Sequence, residues 1–251
     1  FTMSAYAIMG DQYRAVIVYT ISRDDGERFF PEGENLDNRM LMMGGFGGAS
    51  WARGGAIGSS WFVDQDPEDD RIQMIEATSS DVPLTHGTAD AEYEDLRIWN
   101  PETDRDEILY PGKWRLRFEV DYEDCSVHLG GGEGFSQDGL NITIDELTIS
   151  PIAVQVAYTA DLAVVWDDAP SGRESPKNAP QRQKFLENIE ILLTKTDGTV
   201  IDLSNSGGGI TPDYEANVSH CSKGQVFDEI IPLEDMASIS AGGVVYEIPH
   251  N

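Results

Sequence analysis

Apolar residues alternate with polar or small residues in two separate stretches of the chain, and this pattern constrains the fold most. The later stretch, residues 138–160, reads DGLNITIDELTISPIAVQVAYTA, and its alternation changes phase once, around Ser150 and Pro151. Strand side chains point alternately to core and solvent, so the pattern predicts two half-buried strands joined by a tight turn. Residues 1–21, FTMSAYAIMGDQYRAVIVYTI, follow the same plan around a turn at 10–12. The chain therefore reads as two similar units.

Length and composition agree with two β domains. The 251 residues exceed the common domain size of about 100 to 150 residues, and 25 glycines and 12 prolines interrupt a chain that is 40% hydrophobic. Glycine is densest in residues 129–139, LGGGEGFSQDG, and the strand pattern restarts directly afterwards. We therefore predict an all-β protein of two tandem β-sandwiches, residues 1–134 and 135–251, joined at this segment.

Three shorter segments carry clear local signals. In GKWRLRFEVDYED, Trp114, Leu116 and Phe118 alternate with charged residues, which predicts a strand that buries these three side chains. The Asp197 and Gly198 pair between two apolar runs predicts a hairpin turn. Residues 181–190 are the best helical candidate, and we expect a single turn there.

The net charge excludes some partners. It is −28, from 45 acidic and 17 basic residues, so most of the surface repels a phosphate backbone or an anionic lipid surface. Nucleic acid is thus excluded as a partner. Solubility in a salty or crowded medium outside the cell accounts for this charge, and a dedicated cationic partner is the alternative.

No apolar run approaches the roughly 20 residues that span a bilayer, and Phe1 is not preceded by a basic and apolar leader. We expect no membrane contact by this segment itself and an anchor encoded upstream of it.

The segment VDQDPEDD offers a candidate metal site. Asp64, Asp66, Asp69 and Asp70 are alternating carboxylates of the kind that can converge on calcium, which takes six to eight oxygen ligands. The segment lacks the glycine and the closing glutamate of an EF-hand. It is therefore either a weak calcium site or a solvated acidic turn.

The two cysteines allow three interpretations. Cys125 and His128 lie three apart, and His220 and Cys221 are adjacent, so together they offer four zinc-type ligands. Adjacent residues give poor geometry for a tetrahedral site. A disulfide between Cys125 and Cys221, or two separate thiols, are the other interpretations.

The sequence carries no catalytic signature and predicts no cofactor. A G-x-S-x-G nucleophile elbow does not occur, and 45 acidic residues make any chosen carboxylate pair uninformative. Among the five tryptophans, Trp114 and Trp166 alternate with apolar neighbours and read as core. Trp99, in IWNPETD at a strand end, is the best candidate for ligand binding at the surface.

Several motifs together resemble a known family. GDQYRAVIVYTI, GLNITIDELTISPIAVQVAYT, DGTVIDLS and FDEIIPLEDMASISAGGVVYEIP resemble the extracytoplasmic region of an uncharacterised family of membrane-anchored anti-sigma-factor-like proteins of Gram-positive bacteria. The resemblance covers most of the chain except residues 35–110. It implies immunoglobulin-like β-sandwiches at the extracellular face of the cell membrane, and it brings no catalytic residues.

The leading hypothesis for function is therefore a non-enzymatic extracellular sensing or adhesive binding module for an unidentified ligand or protein. A surface protein that binds or hydrolyses glycans through exposed aromatic and acidic side chains is the alternative, and a structural spacer is the third.

Overall fold

The computed structural model describes residues 1–32, 36, 40–44, 49–51, 57–80, 83–100, 102–167, 175–227 and 229–250. The described chain is mostly β-strand and forms several antiparallel sheets, which confirms the predicted all-β, sandwich-type fold. It divides into two compact units, Phe1–Asp124 and Cys125–Asn251. We call them unit 1 and unit 2.

Unit 1 contains eight strands among its described residues, and they form two sheets. In the first sheet the order is β1-β2-β6-β5, and in the second β7 pairs with β3, β4 and β8. The side chains that the two sheets bury between them include Ile17, Tyr19 and Met74 from the first and Tyr93 and Leu96 from the second. The strands are β1 (Thr2–Gly10), β2 (Arg14–Ser22), β3 (Leu41–Gly44), β4 (Ala49–Ser50), β5 (Ile57–Val63), β6 (Arg71–Ser79), β7 (Gly87–Asn100) and β8 (Arg105–Val120).

Unit 2 also has two sheets around one core. One sheet has the order β10-β11-β12-β16-β15, with β9 also on β11, and the other has the order β14-β13-β17-β18. Val156 and Tyr158 of the first sheet pack with Leu193 and Ile239 of the second. The strands are β9 (Val127–Gly130), β10 (Gly134–Gln137), β11 (Leu140–Ser150), β12 (Ala153–Ala160), β13 (Ile191–Lys195), β14 (Val200–Asp202), β15 (Gly207–Asp213), β16 (Val218–Val226), β17 (Met236–Ala241) and β18 (Val244–Glu247).

The glycine-rich segment predicted to join the domains is part of unit 2. Strands β9 and β10 both pair with β11, so the division between the compact units falls at Asp124 and Cys125 and not at 134 and 135. Gly131 passes so close to β11 that a Cβ there would lie 2.3 Å from the Asp145 carbonyl oxygen, and Gly132 has a φ of 101°. The glycines thus allow a bend and a close approach in the short connection between β9 and β10, which composition alone does not distinguish from a linker.

Strand phase is predicted correctly in β8. Trp114, Leu116 and Phe118 pack against the core of unit 1, whereas Arg115 and the other charged residues between them are exposed. The three inward residues are only half-buried, because β8 ends its sheet and one of its edges has no neighbouring strand among the described residues.

The predicted helical turn is longer than expected. An α-helix, α1 (Asn178–Arg182), continues directly into a π-helical segment, Gln183–Glu187, which buries Phe185 and Leu186. Within the described residues, no helix has the length and apolar character needed to cross a bilayer.

Candidate functional site

Unit 2 carries a groove of about 410 Å³. Its buried floor consists of Leu203, Phe227 and Ile231, and all three side chains belong to the hydrophobic core of unit 2. Two exposed carboxylates, Asp202 and Glu229, stand among the lining residues. The remaining lining residues are Ile201 and Gln225. An apolar concavity with a few polar groups is the usual form of a ligand-binding site.

Local sequence places one wall of the groove. The predicted hairpin turn forms: Gly198 has a φ of 88° and its N–H donates to the Lys195 carbonyl at 2.9 Å, while the Asp197 carboxylate accepts from the Thr199 N–H at 2.8 Å. The turn returns the chain as β14, antiparallel to β13. The Leu203 N–H then donates to the Ile191 carbonyl at 2.8 Å, which holds the end of β14 against β13 where the strand lines the groove.

The carboxylate of Asp202 is held on the rim. Its Oδ1 accepts the Ser204 N–H at 2.8 Å. Hydrogen bonds from the Ser204 side chain and backbone lower the pKa of Asp202 below its ordinary value. Asp202 is therefore ionised at neutral pH, and the rim of an apolar groove carries negative charge.

Two strand edges border this groove. Strand β14 is the last strand of its sheet, so among the described residues no strand pairs with its outer edge. On the other side, the pairing of β15 with β16 starts at Gly207 and Gly224, so Gln225 and Val226 pair with β12 but have no partner in β15. Exposed main-chain edges of this kind accept an added strand.

Unit 1 has a cavity of about 500 Å³ beside β5 and β3. It is lined by aromatic, aliphatic and polar residues, among them Trp61, Phe62, Met40 and Asp64. The predicted ligand-binding residue Trp99 is half-buried in β7 opposite Asp106, and it does not line this cavity.

The four aspartates of the predicted calcium site have separate roles. Asp66 accepts the Glu68 N–H at 3.1 Å and so shapes the turn, whereas Asp69 and Asp70 each form an ion pair with Arg71 at 3.3 Å. Asp64 is half-buried at the end of β5. The described residues contain no group of three or more histidine, cysteine, aspartate or glutamate side chains placed to hold a metal ion.

The cysteine and histidine side chains are likewise separate. Cys125 and Cys221 are not bonded to each other, and burial raises the pKa of the Cys221 thiol to about 12. His128 contacts the Glu146 carboxylate at 2.9 Å, and His220 contacts the Thr159 hydroxyl at 3.1 Å. Of the three interpretations, two separate thiols match the structure.

Sequence reasoning missed two buried ionisable residues, one in each unit. In unit 1, Glu76 on β6 is 7% exposed. Its carboxylate accepts hydrogen bonds from the Tyr93 hydroxyl, the Tyr19 hydroxyl at 3.2 Å and the Ala49 N–H at 2.8 Å. Three uncharged donors thus stabilise a buried carboxylate between the sheets.

In unit 2, Lys223 on β16 is 1% exposed. Its Nζ donates to the carbonyl oxygens of Ile189 at 2.6 Å, Leu186 at 3.0 Å and Glu187 at 3.4 Å. These carbonyls lie at the end of the helical segment, where the helix itself supplies no donor. Burial lowers the pKa of Lys223 to about 8, although the charges of Asp202 and Glu187 oppose this shift. The sequence signal for both buried residues is their strand phase, which matches that of buried neighbours.

Comparisons with known proteins give one structural neighbour. No family model matches this sequence, and no curated protein matches it. Among solved structures, the crystal structure of the conserved domain protein from Bacillus anthracis matches with a TM-score of 0.49 and 15% identity. The match covers 94% of this chain and 70% of that one. Similarity at this level carries no argument about function.

Proposed function

We propose that this chain is a non-enzymatic binding region, and that it acts outside the cell as part of a membrane-anchored regulatory protein of the anti-sigma-factor-like kind. The observation that carries the binding proposal is the groove of unit 2, with its apolar floor and its carboxylate rim. Such a groove supplies apolar contact for affinity and a few charges for specificity.

The distribution of perturbed ionisable groups also supports binding over catalysis. Active sites concentrate side chains with strongly shifted pKa values in a cleft. Lys223 and Cys221, whose pKa values are strongly shifted, lie in the core of unit 2 and do not line the groove. The anchoring proposal rests on the sequence resemblance and the net charge of −28, and an upstream hydrophobic span of about 20 residues in the gene would support it.

A glycan-binding or glycan-cleaving surface protein is the second candidate. It is favoured by the cavity of unit 1, where Trp61 and Phe62 stand beside Asp64. Aromatic rings provide rigid apolar faces with a polar tip, which suits a ligand with both characters.

One set of screens separates the two candidates. The full 251-residue chain is applied to a glycan array and a peptide array, and the same glycans are assayed for hydrolysis. The binding proposal predicts peptide binding and no turnover. Turnover of a glycan that is lost on substitution of a single aspartate or glutamate would overturn it.

A further inference from the structure

We propose that the groove of unit 2 binds an extended segment of a partner protein, which adds as a strand to the outer edge of β14 and places a lysine or arginine between the carboxylates of Asp202 and Glu229. This inference rests on the proposed function, because it names the partner of the same groove.

The main chain of β14 provides the docking edge. The Lys195 N–H donates to the Thr199 carbonyl and the Leu203 N–H donates to the Ile191 carbonyl, both at 2.8 Å. In an antiparallel ladder, bonding residues alternate, so Ile201 also faces β13. The N–H and C=O groups of Val200 and Asp202 therefore point away from β13, and an added strand would satisfy them.

The groove floor determines the kind of side chain that enters. Leu203, Phe227 and Ile231 offer an apolar surface, which suits the methylene stem of a long side chain. The carboxylates of Asp202 and Glu229 make the rim of the groove anionic, so the entering side chain should end in a cationic group. Lysine and arginine combine these two features.

A defined peptide tests the proposal. The probe is the fluorescein-labelled, end-blocked peptide TVTKTVT, titrated with the full chain at about 0.15 M salt, where charges farther apart than about 8 Å are screened. We expect saturable binding by fluorescence anisotropy. Replacing the central lysine of the peptide with glutamine should weaken binding at least about tenfold, because a charged hydrogen-bonded pair is lost.

Matched variants separate the groove from the general negative charge of the protein. The double variant Asp202→Asn/Glu229→Gln should weaken binding about tenfold, whereas Glu247→Gln, an exposed carboxylate on β18, should leave it unchanged. Asparagine at position 202 keeps an acceptor for the Ser204 N–H, so the turn is retained. Unchanged thermal unfolding of each variant checks the fold.

The outcomes distinguish this inference from the proposed function. The proposal that a strand carrying a lysine or arginine binds here would be overturned by equal binding of the lysine and glutamine peptides. It would also be overturned if Glu247→Gln weakened binding as much as the double variant does. Absence of any peptide binding would also overturn it. The proposed function falls separately, if the whole peptide array stays silent or a glycan is cleaved.

Discussion

The two units follow the same strand-pairing plan, and they differ in what they place at one equivalent core position. Strands β1, β2, β6 and β5 pair in the same order as β11, β12, β16 and β15. The first strand of each hairpin has a bulge, at Tyr6 in unit 1 and Asp145 in unit 2. The residues just before the bulges, Ala5 and Ile144, pair with buried tyrosines on the second strand, Tyr19 and Tyr158.

This register makes Glu76 and Lys223 equivalent. Tyr19 pairs with Met74 and Tyr158 with Cys221, and the buried charged residue follows two positions later in each unit. Glu76 meets hydroxyl and N–H donors, whereas Lys223 meets carbonyl acceptors of the helical segment. Two side chains of opposite charge thus occupy equivalent core positions, and in each unit the surrounding residues supply hydrogen-bond partners of matching polarity.

The short strands β4 and β14 also differ in what their main chains contact. In unit 1, β4 pairs with β7, and its Ala49 N–H reaches Glu76. In unit 2, β14 pairs with β13 and has an open outer edge among the described residues. The same plan therefore gives a polar contact to Glu76 at β4 in unit 1 and an open strand edge at β14 in unit 2.

Exchanging the two charges should have the largest effect. Glu76→Lys places an ammonium among donors, and Lys223→Glu places a carboxylate among carbonyls. Each should lower the stability of its own unit by about 5 kcal/mol, since breaking a buried charge arrangement costs about 3 to 5 kcal/mol. Hydrogen-exchange mass spectrometry of the full chain should show loss of protection in the altered unit alone. Equal protection in the variant and the original chain would show that the sign of the charge at these two positions does not matter for stability.

Lys223→Met should have the next largest effect. It leaves the carbonyls of Leu186, Glu187 and Ile189 without their shared donor, and we expect unit 2 to lose about 3 kcal/mol at pH 7. The control is Lys177→Met, because Lys177 is exposed and its ion pair with Asp167 is at the surface. Urea unfolding read by pulsed hydrogen exchange of residues 125–251 measures both. A Lys223→Met protein as stable as the control would show that the buried ammonium is dispensable.

The stability of unit 2 should also depend on pH through Lys223. Its pKa falls from 10.5 to about 8 on folding, so the unfolded chain binds more protons between these values. The free energy of unfolding therefore rises with pH in this window, by about 2 kcal/mol between pH 8 and 9.5, and the contribution is lost as pH falls through 8. Subtracting the curve of Lys223→Met removes the effects of other groups. A flat difference would contradict the lowered pKa.

Glu76→Gln should have the smallest effect. The glutamine side chain has the same shape, but an NH2 group replaces one of the two carboxylate oxygens. That NH2 group then faces a hydrogen-bond donor and has no acceptor there. We expect unit 1 to lose about 1 to 2 kcal/mol. Glu119→Gln, on the exposed face of β8, is the control. If the amide hydrogens of unit 1 exchange at the same rate in both variants, the hydrogen bonds to Glu76 contribute nothing to the stability of unit 1.

Local alternation predicted much of the fold. The hairpin of β11 and β12, the phase of Trp114 in β8 and the turn at Gly198 all follow from short-range pattern and turn chemistry. The predicted boundary at 134 and 135 differs from the division between the compact units, because glycines that allow a bend and a close approach between β9 and β10 look like a linker in composition. Hydrophobic alternation and turn-forming residues report only on interactions between residues close in sequence, so they do not predict which distant strands pair.

The candidate site depends on contacts between distant segments. The groove combines residues 201–203 with Gln225, Phe227, Glu229 and Ile231. The burial of Lys223 requires carbonyls about 35 residues earlier in the chain. A charged residue within an alternating strand is read as exposed unless such partners are known. Trp99 was chosen for its position at a strand end, and the structure places it outside both cavities.

Amide hydrogen exchange by NMR on the full chain, with and without the peptide TVTKTVT, tests directly whether the peptide adds as a strand to the outer edge of β14. We expect slower exchange of the Val200 and Asp202 amides, whose N–H groups point away from β13, and no change in residues 1–124. Protection that appears in unit 1, or that is absent from β14 when the peptide is bound, would contradict it.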